Sequence, residues 1–512
     1  MAERPSTKVI IGSRPARVAD VVAVAAGATV ELSGQAVERI TAGRAIVDRH
    51  VTGDELIYGL NTGLGHLVDQ RLPIAELADY QDAIVALHAT ALGAPLATGV
   101  VRAAMFVRVV GIALGGSGAS VSVANALVSM LNAGVHPIMP EAGSVGASDL
   151  MHMAAIGEVA LGRGRAEYQG TTLSGGDALR AAGLVPLMVG PKDGLALISA
   201  NGVAVGRGAL VADRGKDIGE VADVAFVASL EATRGNRSIV DPAVAMAKGI
   251  SGQTAASDHI RELLRGSDRC VPLGAGSVQG PLSFRVGPQV HGALRESIRA
   301  ATAATNGELG ASDDNPLVSI AEGRLISNGN FHPIALALAF DALRPALAHV
   351  GQLSDRRMGH LWAILLGGED AVTPHGMRRL AGLAGGPLLR YAAAIRSAQL
   401  VALADPVTLD VSPLDLGVED HSTNAAEAVR QTDEALDLLE QILVVELLMA
   451  RAVLAVQDDT SSVGVGTRIA LDWIADVLAG TPDALPDEIV RALHLRSRDE
   501  LLPRIRTTVG AP

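Results

Sequence analysis

The chain has 512 residues, 49% of them hydrophobic, 19% charged and 2% aromatic, with a formal net charge of −13 and one cysteine, Cys270. Such a length buries a large core, packed here by Ala, Leu, Val and Ile rather than by rings. The acidic balance, with no dense Lys/Arg cluster, argues against a nucleic-acid partner, and one cysteine excludes an intrachain disulfide and any CxxC pattern.

The N-terminal MAERPSTKVI shows no basic–apolar–cleavage leader. The most apolar tracts are interrupted, by Arg102 and Arg108 near 100–115 and by Glu446 and Arg451 within 442–456. None reads as a clean membrane span, so a cytoplasmic protein is expected. In chain order, Val9-Ile10-Ile11, Val21-Val22-Ala23-Val24 and Ala45-Ile46-Val47 read as short strands, with one helix around 32–42. Tyr58-Gly59-Leu60-Asn61-Thr62-Gly63-Leu64-Gly65 is a glycine-rich loop without phosphate-loop or dinucleotide spacing. Helical patterns follow at 79–92, 98–115, 118–133 and 151–161, and then a small hairpin at 162–175. Helix is expected again over 203–262 apart from a turn at 233–238, and at 288–308, 334–349, 383–402, 422–457 and 464–478, with another segment after Pro486. The segment 405–421 reads as loop. These patterns predict a mixed N-terminal domain (1–200), a central long-helix bundle (201–460) and a helical tail (461–512). No metal site is expected, because no His-Glu-x-x-His pattern is present and His349 and His360 are eleven residues apart.

The octet Gly143-Ser144-Val145-Gly146-Ala147-Ser148-Asp149-Leu150 sits between a proline-bounded turn and an apolar helix. Read alone, it is a tight loop running into a helix start capped by Ser148 or Asp149. His152, on the first turns of that helix, is a further candidate to face a site. The octet resembles the signature of the histidine and aromatic amino acid ammonia-lyase family. There an Ala-Ser-Gly tripeptide cyclises into an electrophilic methylidene-imidazolone group (MIO). The resemblance continues in order through Tyr58–Gly63, Gly194–Leu197, Pro288–Val290, Asp314–Leu317 and Gly329–His332. It implies a mainly α protein, a long parallel helix bundle of the ammonia-lyase or fumarase/aspartase-like type with a small mixed N-terminal part. It also implies a homotetramer whose active sites combine residues of several subunits, and no dissociable cofactor.

Carried onto this chain, the resemblance makes Tyr58 the general base at the β-carbon. As tyrosine is a poor base, nearby positive charge or donors are expected to stabilise its phenolate. Arg285 would grip the substrate carboxylate bidentately, and Phe331 would wall the pocket. His88 and Glu419 match the histidine branch and would bracket an imidazole through its two nitrogens. Three positions depart from the pattern. Asp149 stands where the ring-closing glycine is expected, Leu282 replaces a tyrosine, and Ser199 replaces an asparagine, with Asn201 two positions late. A Cβ and carboxylate at the ring-closing position would crowd the turn.

The activity implied is a carbon–nitrogen lyase releasing ammonia from L-histidine or a histidine-like amino acid, with a urocanate-type product and MIO formed by Ala147-Ser148-Asp149. The alternative is an MIO-independent elimination of trimethylamine from a histidine betaine such as ergothioneine, with Asp149 offering negative charge to the cation. Further alternatives are a lyase or aminomutase on another amino acid, and a non-catalytic homologue.

Overall fold

Among the described residues the four longest helices are Gly202–Ala232, Gly287–Leu309, Ile334–Leu366 and Ala425–Val456. Alanine is abundant in all four, joined by valine in the first and by leucine in the last two, which favours helix and lets neighbouring backbones approach closely. The computed structural model describes residues 8–270, 279–367, 373–383, 387–409, 412–457, 461–481 and 483–511. These fall into two compact units. One comprises residues up to Asp213 with Ala301–Asp341 and Pro406–Arg430, and the other comprises Arg214–Ala300, Ala342–Asp405 and Gln431 onward. The units therefore do not follow sequential blocks divided at 200 and 460, because each long helix contributes residues to both.

In the first unit the helix Thr98–Ala113 is buried at every position from Val101 to Ala113. A helix apolar on all sides belongs inside a core. Its two arginines are buried with it and satisfied there. Arg102 donates to the carbonyls of Val24, Ala28 and Leu131, and Arg108 donates to Ala196 and pairs with Asp314 at 2.9 Å. In the second unit Glu446 is likewise wholly buried. It accepts from Ser229, Ser354 and both sides of the Arg357 fork at 2.6–2.8 Å. The charges that interrupt the apolar tracts are thus internal, where pairing and hydrogen bonds offset their desolvation. Among the described residues, two helical runs suffice by length and mean hydropathy to cross a membrane, Asp193–Ala232 and Ile334–Leu366. The most apolar window of each is 89% and 56% buried within the fold, as core helices are.

Strands are few and short. Lys8–Ile11 pairs in parallel with Thr29–Leu32, and Arg165–Tyr168 with Thr171–Ser174 forms the expected hairpin. Two expected strands are helical instead. Val21–Val24 lies in the helix Val18–Ala25, and Ala45–Val47 in Gly34–Val51. Burial at Val18, Val21 and Val24 follows helical spacing, so packing of one face overrides the β-branched preference. Ser33 sets the start of the second helix by accepting from Ala36 N–H. The helix expected over 334–349 contains Pro345 and continues to Leu366, past a polar run at 352–360 that interrupts the apolar pattern.

Candidate functional site

The first unit encloses a cavity of about 780 Å³. Its floor is the glycine-rich loop. Gly59, at φ +66°, lets the chain turn against Leu195, where a Cβ would lie 2.4 Å from Leu195 Cδ2. Asn61 closes the loop by accepting from Ile57 N–H and donating to Glu55 C=O. The helix Leu77–His88 braces this loop. Tyr80 Oη accepts Leu64 N–H at 3.2 Å, and Gln81 accepts Leu195 N–H at 2.8 Å. Tyr58, presented by the loop, is partly buried and accepts Gly65 N–H at 3.4 Å. His88 ends the bracing helix. Its Nδ1 donates to Ile84 C=O at 2.8 Å, which leaves Nε2 as the acceptor.

The octet forms another wall. Gly146, at φ +83°, has no room for a Cβ, which would sit 2.1 Å from Thr423 Oγ1. Thr423 donates to Gly146 C=O and Asn424 N–H donates to Val145 C=O, at 2.7 and 2.8 Å. Ser148 takes the left-handed conformation, φ +64°, and its N–H donates to Phe331 C=O at 3.1 Å. Asp149 N–H donates to Ala200 C=O at 2.8 Å.

The cavity brings together Tyr58, His88, Ala147, Ser148, Ser199, Phe331 and Glu419. It does not include Asp149, which is fully buried. One side-chain oxygen of Asp149 accepts the N–H groups of Val203 and Ala204, each at 2.9 Å, at the start of Gly202–Ala232. Asp149 precedes the helix Leu150–Ala160, but its side chain caps the other helix, whose free N–H groups point at it. The expectation that Asp149 offers charge to a bound cation is therefore corrected.

Asn201 also lies off the wall, buried, with both side-chain polar atoms lacking a protein partner among the described residues and its N–H on Asp313. Ser199 is the residue that faces the cavity. His152 is buried behind it, with Nε2 on Glu141 C=O. Leu282 and Arg285 belong to the second unit and do not line this cavity. Leu282 is exposed, and Arg285 donates to Gln279 at 2.9 Å.

Four further wall residues carry chemistry that the sequence did not single out: His66, Tyr80, Asn315 and Asp415. His66 Nδ1 lies 2.7 Å from Asp415 Oδ1, and His66 N–H donates to Oδ2 at 3.1 Å. Asn315 stands inside the Asp314-Asn315-Pro316-Leu317 block already noted, and His66 directly follows the Tyr58 loop. Those placements are the only sequence signals for them.

Of the positive charge or donors expected to stabilise the Tyr58 phenolate, the structure supplies one donor, the Gly65 N–H, and surrounds the phenol with carboxylates. Burial pushes its phenol above the ordinary value, the Gly65 N–H opposes this, and the carboxylates of Glu419 and Asp415 push it higher. Glu419 is itself raised by burial and by Asp415, against the pull of His88. Among the described residues no group of three or more His, Cys, Asp or Glu is placed to hold a metal ion.

The family model described as "Aromatic amino acid lyase" matches residues 16–476. The histidine ammonia-lyase of Alkaliphilus oremlandii is 34% identical over 447 residues, 87% of each chain. Among solved structures, ergothionase from Treponema denticola, in complex with desmethyl-ergothioneine sulfonic acid, superposes with a TM-score of 0.87 at 25% identity, covering 97% of this chain and 99% of that one. Histidine ammonia-lyase from Trypanosoma cruzi superposes with a TM-score of 0.86 at 26% identity, covering 98% and 96%. With the fold, the loop carrying Tyr58 and the octet wall in place, the chain belongs to the aromatic amino acid lyase family and is, with it, a carbon–nitrogen lyase.

Proposed function

We propose that this lyase eliminates an amine from an imidazole-bearing amino acid to give a urocanate-type product, and that it does so without an MIO group, on a substrate whose amine is already a good leaving group, such as a histidine betaine losing trimethylamine. The observation behind it is Asp149. The nitrogen that would close the ring donates to Ala200, and the side chain is tied to Val203 and Ala204. Ala147-Ser148-Asp149 is thus a poor fit for the ring, and no step is routed through it.

In this reading His88 Nε2 and Glu419 take the two nitrogens of the substrate ring. Phe331 packs against the ring, and Ser199 and Ser148 offer hydroxyls on the octet side. Tyr58 Oη takes the β-proton. The C–H pair becomes the C=C bond, and the C–N bond breaks with its electrons leaving on the amine. A trimethylammonium departs as a neutral amine, so the missing electrophile is not needed. The substrate carboxylate is gripped by Arg285 of a neighbouring copy in a homotetramer, beside Leu282, and the enzyme works in the cytoplasm.

A second reading is release of ammonia from L-histidine, favoured by the 34% identity to a histidine ammonia-lyase. Incubation of the purified chain with L-histidine and with its Nα-trimethyl betaines separates the two. Trimethylamine release with growth of an acrylate chromophore supports the proposal. Ammonia release from histidine alone overturns it.

A further inference from the structure

The cavity holds a pair that the elimination scheme leaves unused. His66 and Asp415 are 349 residues apart in sequence, yet both backbone and ring of His66 bond to the two oxygens of Asp415. Gly65 makes the approach possible. At φ +55°, a Cβ there would lie 2.0 Å from Asp415 Oδ2. With Nδ1–H donated to Asp415, His66 keeps its lone pair on Nε2, the arrangement of a base held by an orienting carboxylate. The residue before it, Gly65, hydrogen-bonds the Tyr58 hydroxyl. Tyr58 and His66 are therefore on adjoining parts of one loop and on one cavity wall.

We infer that the Asp415–His66 pair is the proton acceptor behind Tyr58, taking the phenolic proton over a bridging water while the phenolic oxygen takes the β-proton of the substrate. This rests on the elimination reading given above and deepens it. A neutral phenol cannot accept a proton unless it gives one away, and Tyr58 is held in that form by burial and by Glu419 and Asp415. Among the described residues, the titratable groups that line the cavity with the pair are Glu419, Tyr58 from its own loop, and Tyr80 and His88 from the helix Leu77–His88. Glu419 faces His88, both oxygens of Asp415 are engaged by His66, and Tyr80 is itself raised by burial. His66 Nε2 remains. The step balances. The β-proton ends on Tyr58 oxygen and the former phenolic proton on His66, whose imidazolium sits beside the Asp415 carboxylate. The C–H electrons form C=C, and the C–N electrons leave with the amine. His66 has a side-chain exposure of 47%, so it returns its proton to solvent before the next cycle.

His66 acts through Tyr58, so the test must separate proton transfer from mere positioning. With the full-length enzyme at saturating trimethylated substrate, His66→Gln is expected to lower kcat by about 10²- to 10³-fold with KM changed less than about threefold. Asp415→Asn is expected to lower kcat by about tenfold or more through loss of the oriented tautomer. His66→Ala is expected to regain activity, saturably, on addition of free imidazole, with no such gain in the parent or in Tyr58→Phe. A His66→Gln variant with parental kcat, or a His66→Ala variant that imidazole does not rescue, overturns the relay while the elimination reading stands. A parent enzyme that releases no amine from either histidine or its betaines overturns both.

Discussion

Asp149 is the residue on which the account turns, and alanine in its place gives a measurable local consequence. The substitution removes the acceptor of two wholly buried N–H groups, those of Val203 and Ala204, each bonded at 2.9 Å. Nothing in the first turn of Gly202–Ala232 replaces it, because a helix has no internal acceptor for its first N–H groups. A lost cap costs about 1–2 kcal/mol, and a second buried donor left unpaired adds about 1–2 more. The sum, about 2–4 kcal/mol, corresponds to a roughly 30- to 700-fold faster opening-limited exchange of those amides. Hydrogen–deuterium exchange resolved to peptides covering 200–206 reads it directly. Asp149→Asn, which keeps one acceptor oxygen, is expected to retain most of the protection. Unchanged exchange in Asp149→Ala, or a loss of activity with no change at 200–206, would refute the capping role and return Asp149 to the cavity.

Other expectations follow from the same structure. Tyr58→Phe is expected to lower amine release by at least about 10³-fold while circular dichroism and thermal unfolding stay within error, since among the described residues the hydroxyl makes one long bond, to Gly65. Gly65→Ala forces a Cβ onto Asp415 Oδ2 in a left-handed backbone; it should uncouple His66 from Asp415 and lower kcat as Asp415→Asn does, and parental kinetics would count against the pair. Burial, with Asp313 beside it, raises Glu308 to about 7. A group whose folded value is raised contributes stability below its unfolded value, near 4.3, and loses it as pH rises toward 7. Glu308→Gln should therefore match the parent in thermal stability near pH 4 and gain on it between about pH 4.5 and 7, then level off; a difference constant with pH would refute the assignment.

Much of the fold was legible because it rests on period and composition. Long Ala/Leu-rich stretches give helices such as Ala425–Val456, and a glycine-rich loop beginning at Tyr58 marks a wall of the cavity. The misread segments are those where tertiary packing outweighs local preference. Val18–Ala25 is rich in β-branched residues yet buries a helical face, and Ile334–Leu366 runs on past a polar stretch at 352–360 that breaks its apolar pattern. Around the cavity, His88, Phe331 and Glu419 stand in blocks that the sequence makes recognisable. The Asp149 cap and the His66–Asp415 pair were not legible there, since each joins segments far apart in sequence and neither follows a periodic pattern. The sign of the effect on Tyr58 was also out of reach, because it depends first on burial and then on two carboxylates that only the fold brings near.

In the proposed elimination this lyase works without a ring formed from Ala147-Ser148-Asp149. The intact mass of the purified chain tests it most directly. The account predicts the full mass encoded by the sequence, in an enzyme that still releases trimethylamine from a histidine betaine. A mass lower by two water molecules, mapped by peptide digestion to 143–150, would contradict it and make ammonia release through the electrophile the working mechanism.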